Sequence, residues 1–370
     1  MINLDHAATT PLRQEALDAM FPYFMEHAAN ANALYAEGRR ARAAIDVARR
    51  QIADAIHAKT AEIYFTGGGS EADNWALFGA MRAMNEKKHI VTTRIEHHAI
   101  LNACTALEKL GYEVSFVSVD RQGSVAPEAI EKAIRPETGM VSVMLANNEV
   151  GTIEPIAQIA KIAHAHGALM HTDAVQAVGH IPVDVEALGV DLLSMAAHKF
   201  CGPKGIGALY IRNGVRMTNL IYGGEQERGL RAGTENTPAI VGMGEALSLA
   251  YAELEPTTKR IQALRNLLER EILRHFPNAI VNGDRENRLP GTLHMTFPDA
   301  DTNMLLMRLD MEGIAVSAGS ACAAGARERS HVIRAMHAPE GADVRFSLGG
   351  ENDETQIRQT VDALCRILNG

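Results

Sequence analysis

Two charged residues stand at the ends of apolar runs. Ala168-Leu169-Met170-His171-Thr172-Asp173 closes on a carboxylate, and Leu192-Leu193-Ser194-Met195-Ala196-Ala197-His198-Lys199 closes on an ammonium. A lysine at a buried strand end is costly unless it has a task, and one such task is a Schiff base to an aldehyde cofactor. Read singly, Lys199 is equally a surface residue opening the turn Gly202-Pro203-Lys204-Gly205, and Asp173 is a helix cap. Read together, they meet two needs of pyridoxal phosphate. One is an amine for its aldehyde. The other is a carboxylate that keeps its pyridine nitrogen protonated, so that the ring accepts electrons. Gln176 follows three residues after Asp173 and can donate to the ring 3-oxygen. The phosphate needs a third element. Phe65-Thr66-Gly67-Gly68-Gly69-Ser70-Glu71 follows an apolar run and opens a helical pattern. Backbone N–H groups at such a helix start face an anion, and Ser70 can cap the helix and touch phosphate. The dinucleotide pattern G-x-G-x-x-G is not met.

These residues need elements to hold them. Through the middle of the chain, strands are expected at 62–66, 89–94, 113–119, 140–146, 168–173, 192–196 and 208–211. Val141-Ser142-Val143-Met144-Leu145-Ala146 is apolar on both faces, which suits a central strand of a mostly parallel sheet covered by helices. Helices expected over 71–85, 127–134 and 156–165 complete a doubly wound α/β pattern. Longer helical patterns cover 238–254 and 258–275, with a break at Glu255-Pro256. Strands at 292–297, 315–316 and 344–347 and helices at 301–311 and 354–368 then suggest a smaller α+β unit. The expected organisation is a segment 1–14 packing on the small unit, a large cofactor-binding domain 15–250, and a small C-terminal domain 251–370 with a mobile loop around Cys322. The large domain is expected to hold a mostly parallel seven-stranded sheet between helices. Ligands bind such sheets beyond the carboxyl ends of the strands, where Asp173 and Lys199 fall.

Composition bounds the class. Of 370 residues, 46% are hydrophobic and 22% charged, which excludes disorder as the main state. Lys+Arg 36 against Asp+Glu 45 gives −9, which argues against nucleic acid or an anionic membrane as the main partner. Cys104, Cys201, Cys322 and Cys365 form no C-x-x-C pair and no disulfide framework, so reduced thiols in the cytoplasm are expected. No signal peptide, membrane span or metal site is expected.

Further motifs carry a family resemblance. Asp173-Ala174-Val175-Gln176 and Ser194-x-x-x-His198-Lys199 resemble the class V aminotransferases, pyridoxal-phosphate enzymes, and among them the cysteine desulfurases. The likeness is collinear over nearly the whole chain. It takes in Leu4-Asp5-His6-Ala7-Ala8-Thr9-Thr10-Pro11, Glu96-His97-His98-Ala99 and Asn147-Asn148-Glu149-Val150-Gly151. It continues through 226–236, Ser317-Ala318-Gly319-Ser320-Ala321-Cys322 and Arg345-Phe346-Ser347-Leu348-Gly349. The resemblance implies that Lys199 holds the cofactor, Asp173 pairs with the pyridinium nitrogen, and His97 stacks on the ring and helps move protons. It implies that Asn148 and Gln176 contact the ring oxygen, and that Gly69, Ser70 and His198 hold the phosphate, with Thr234 reaching in from a second subunit of a homodimer. Arg345 would clamp the substrate carboxylate, and Asn30 would lie near the substrate entrance. Cys322 would take sulfur from L-cysteine as a persulfide and pass it to an acceptor, an iron–sulfur scaffold or a thiolation protein. Without the resemblance, His97 reads as an exposed histidine, Asn148 as turn chemistry, Arg345 as a surface arginine on an edge strand, and 317–325 as a small-residue loop.

The chain also departs from the family pattern. Ala196 stands where the family has a phosphate-contacting serine. Ala29-Asn30-Ala31-Asn32-Ala33-Leu34-Tyr35 keeps only Asn30 of the family's entrance stretch, and Glu225 replaces a glycine near the expected dimer contact. Two other readings stay open at this level. One is another enzyme on the same scaffold, a selenocysteine lyase, an aminotransferase or a β-lyase, which would not need Cys322. The other is a sulfur-carrier or scaffold protein with a degenerate site.

Overall fold

A computed structural model describes residues 1–84, 86–319 and 329–369. Cys322 lies outside them. In chain order the strands are β1 (Ile2–Asn3), β2 (Ile63–Thr66), β3 (His89–Thr93), β4 (Glu113–Val117), β5 (Thr138–Ser142), β6 (Leu169–Asp173), β7 (Leu192–Ala196) and β8 (Gly207–Ile211). β9 (Ile280–Asn282), β10 (Thr292–Phe297), β11 (Ile314–Ala315) and β12 (Ala342–Ser347) follow.

Seven strands form the main sheet in the order β2-β8-β7-β6-β5-β3-β4. β8 runs antiparallel to β2 and β7, and the other pairings are parallel. β3, β5, β7 and β8 are buried on both faces, as strands covered by helices on either side must be. The α/β expectation therefore holds. β5 starts earlier and ends earlier than the apolar run suggested. Beyond Ser142, the Val143 and Leu145 amides still donate to the carbonyls of His171 and Asp173.

A second core gathers Leu4, Leu268, Phe297, Leu309, Phe346 and Leu364 around the antiparallel sheet β12-β10-β9. β1 pairs in parallel with β11, so the first residues of the chain are fastened beside this second core. The helix expected to begin at 258 begins at Leu254. Pro256 sits in its first turn, where no intrahelical N–H bond is lost. Helix Ala36–Ala55, absent from the sequence reading, packs Ala41, Ile45, Ala48 and Ile52 inward.

From that helix, Arg49 reaches a buried carboxylate. Its guanidinium donates twice to Glu227, at 2.7 Å each, and once to the Ile63 carbonyl at 2.7 Å. Glu227 also accepts from the Phe65 amide at 2.9 Å. The pair thus ties the strand before the glycine turn to the 227–236 segment. Removing one member strands the other charge, which costs about 3–5 kcal/mol. Arg49→Met should lower unfolding stability by about 3 kcal/mol in urea denaturation, and a change below about 0.5 kcal/mol would contradict this account of the pair.

Candidate active site

Several strand ends converge on one cavity. β6 delivers Asp173 and β7 runs through Ala196 into a single turn, Ala197–Lys199. β2 turns through Gly67 and Gly68 into helix Gly69–Ala83. After β3 the chain turns at Glu96 and His97 into helix His98–Glu108. The cavity measures about 190 Å³ and is lined by Gly69, Ser70, His97, Asn148, Asp173, Gln176, His198, Lys199 and Arg345. Nine residues singled out in the sequence therefore meet in one place. Asn30 and Thr234 do not line it. Both are exposed, and Asn30 instead accepts from the Asn32 amide at 2.9 Å.

The N-terminal segment closes one side. Lys199 Nζ donates to the carbonyls of Ala7 at 2.6 Å and Ala8 at 2.8 Å. Gln176 Nε2 donates to the Ala7 carbonyl at 2.9 Å. Both side chains lean on the same peptide. Arg345 is 1% exposed, not the surface arginine its edge strand suggested. It donates to the Asn148 carbonyl at 2.9 Å and to Asp5 Oδ1 at 2.7 Å, while its Nε has no partner among the described residues.

Electrostatics follow from burial. Asp173 accepts from the Val175 amide at 2.9 Å. Burial pushes its carboxyl above the usual range, and His97, that amide and Lys199 oppose the shift. His97 caps its helix, with Nδ1 accepting from the Ala99 amide at 3.2 Å. Burial pushes His97 below the usual imidazole value, as it does His198, which falls to about 4. Both rings are neutral near pH 7.

The residues fit pyridoxal phosphate. A buried carboxylate, a helix N-terminus and an amine line the same cavity. The helix end is built for close approach. Gly68 has φ +151°, and a Cβ on Gly69 would lie 2.8 Å from Val175 Cγ2. Ser70 lies within the first turn instead of capping it, since the helix starts at Gly69. Ala196 lines the same wall, so the hydroxyl that the family pattern led one to expect there is absent. The sequence reading missed Asp5, the Ala7 and Ala8 carbonyls, and Asp73, which also lines the cavity. Only the Leu4–Pro11 motif hinted at the first three.

The family model described as aminotransferase class-V matches residues 2–360. A cysteine desulfurase IscS from Dictyoglomus turgidum is 47% identical, over 99% of this chain and 94% of that one. A solved structure titled NifS-like protein superposes with TM-score 0.94 at 36% identity, covering 100% of this chain and 99% of that one. Another, titled SspA in complex with cysteine, gives TM-score 0.84 at 35% identity, over 94% of this chain and 99% of that one.

Next to His97, Glu96 is 1% exposed, accepts from Thr93 Oγ1 at 2.6 Å and from the Met144 amide, and is pushed up by burial to about 8. A carboxyl raised on folding stabilises the protein below its unfolded value, and that contribution is lost as pH rises through the folded value. Glu96→Gln cannot ionise. Its thermal stability should therefore pull ahead of the wild type as pH climbs from about 4.3 toward 8, by at least about 1 kcal/mol at the upper end. A difference that does not change with pH would contradict a neutral Glu96.

Proposed function

Because the chain belongs to the class-V aminotransferase family, and within it to the cysteine desulfurases, we propose that it takes sulfur from L-cysteine with pyridoxal phosphate and releases L-alanine. Cys322 receives the sulfur as a persulfide and hands it to an acceptor protein serving iron–sulfur cluster assembly or the thiolation of a cofactor or nucleic acid. The observation that carries the reading is one cavity lined by an amine, a buried carboxylate and a buried arginine with a free N–H: Lys199, Asp173 and Arg345.

When bound, pyridoxal phosphate supplies the electron sink that loosens the substrate's Cα proton and then its Cβ–S bond. Asp173 holds the ring nitrogen's proton, and Asn148 and Gln176 contact the ring oxygen. Gly69, Ser70 and His198 hold the phosphate. Lys199 would hold the aldehyde and would move the proton at Cα. His97, neutral and beside Asp173, stacks on the ring and helps move protons. Arg345 binds the substrate carboxylate as a planar, charged donor, and Cys322 attacks the substrate sulfur as a thiolate.

A homodimer completes the site. Thr234 and Asn30 lie away from this chain's own cavity but near each other's segments, since Glu235 accepts from Arg42 at 2.9 Å and from Asn32 at 3.1 Å. The same edge exposes Leu34, Tyr35 and Tyr222, apolar surface that a second copy would cover. The large unit 15–250 then carries the cofactor and 251–370 carries Cys322, with 1–14 packed on the smaller unit. Cytoplasmic location agrees with the reduced cysteines, and among the described residues no helix is long and apolar enough to cross a membrane.

The test is alanine and sulfide release from L-cysteine. Cys322→Ser should bind cofactor and change its absorbance with cysteine, yet release no sulfide, and Lys199→Ala should lose turnover. Arg345→Lys should raise KM by about 10- to 100-fold. Sulfide release by Cys322→Ser at the wild-type rate would refute the persulfide step, and keto-acid formation would indicate an aminotransferase instead.

A further inference from the structure

A second carboxylate lies under the same cavity. Asp73 projects from helix Gly69–Ala83 and is 1% exposed. One ligand atom each from Asp73, His97 and Asp173 lie within 4.8 Å of one another. Among the described residues Asp73 Oδ1 has no hydrogen-bond partner. The polar and charged groups around it come from three directions. β6 and β7 contribute His171, Asp173 and Ser194. The turn after β3 contributes Glu96 and His97, and Lys199 stands beyond Asp173.

None of these supplies Asp73 with a counter-charge. His171 Nε2 is 3.8 Å from Asp73 Oδ1, but that ring is fully buried between Ser142 Oγ at 2.8 Å and Ser194 Oγ at 3.1 Å. Burial pushes His171 down to about 3, so it is a neutral imidazole. Asp173 has the Val175 amide and faces His97 and Lys199. Two adjacent buried carboxyls do not both ionise, and the proton goes to the one without a facing cation. Burial, Asp173 and Glu96 push Asp73 well above the usual carboxylate range, against a hydrogen bond from Ser194.

We infer that Asp73 is a neutral carboxylic acid, a positioning residue that keeps the pair's one proton and leaves Asp173 as the single carboxylate facing the ring nitrogen of the bound cofactor. The inference rests on the pyridoxal-phosphate reading above and adds a residue to it. An incoming pyridinium then meets one negative charge, and the floor of the site becomes neutral on binding. Were both ionised, one buried charge would stay uncompensated, which low-dielectric surroundings penalise heavily.

The experiment is infrared difference spectroscopy on the full-length chain, with and without pyridoxal phosphate. It follows the C=O stretch of protonated carboxyls in the wild type, Asp73→Asn and Asp173→Asn. One band should vanish in Asp73→Asn and persist in Asp173→Asn. An Asp73→Asn spectrum that keeps every wild-type band, or loss of that band in Asp173→Asn instead, would overturn the assignment. The second comparison, Asp173→Asn, stands even if Asp73→Asn fails to fold. The amide should mimic the neutral acid, so Asp73→Asn should bind pyridoxal phosphate within about threefold of the wild-type Kd at neutral pH. Its bound-cofactor absorbance should then lack an alkaline transition that the wild type shows. A loss of affinity tenfold or greater, or the same transition in both, would count against it. A wild type that takes up no pyridoxal phosphate would refute the proposed function, and the cofactor-free spectra would still decide where the proton sits.

Discussion

A carboxylate buried at the end of a central strand is the constraint on which the rest of the molecule depends. Asp173 is 5% exposed, and a charge in that position is tolerated only with compensating donors and cations. The main sheet places it there by pairing β6 between β5 and β7. The same pairing aligns Asp173 with Ser194, five residues before Lys199, so acid and amine reach one cavity from neighbouring strands. A positively charged pyridine ring is the kind of partner this geometry calls for. Among the described residues the rings of His171 and His198 are neutral and Lys199 is the cation that faces the carboxylate.

The N-terminal segment links the two cores around that site. β1 pairs with β11 beside the smaller sheet, and a few residues later Asp5 takes Arg345 while Ala7 and Ala8 take Lys199. The amine and the arginine therefore answer to one short stretch of backbone. Anything that shifts the smaller sheet shifts Arg345 on β12 together with the peptide that Lys199 leans on. A substrate carboxylate at Arg345, as proposed, would compete with Asp5, since both are anions seeking the same guanidinium.

Much of this was legible in the sequence, because the strand-end residues announce themselves. Charges closing apolar runs, as at Asp173 and Lys199, break a pattern that packing alone would keep. The glycine turn before a helix is equally visible. Asp73 was not, because inside a helix an Asp beside Asn74 reads as a solvated face, and only the packing of that helix on β6 and β7 buries it. Helix Ala36–Ala55 was legible in principle, since Ala41, Ile45, Ala48 and Ile52 repeat at helical spacing. Ser70 was read as a cap because Ser is a favoured capping type, but Gly68 can adopt the backbone angle that starts the helix a residue earlier. Asn30 and Thr234 were named from the motifs that carry them, and within this chain both lie exposed, away from the cavity. Cys322 lies outside the described residues, and its assignment rests on the motif that carries it.

The central claim is a covalent one: the side-chain nitrogen at 199 carries the cofactor. Loading the full-length protein with pyridoxal phosphate, reducing it with borohydride and weighing its proteolytic peptides tests this directly. The account predicts that the peptide containing Lys199, and no other lysine peptide, gains the mass of one reduced cofactor. An unmodified Lys199 peptide from a protein that has bound the cofactor, or the added mass on a different lysine, would contradict it.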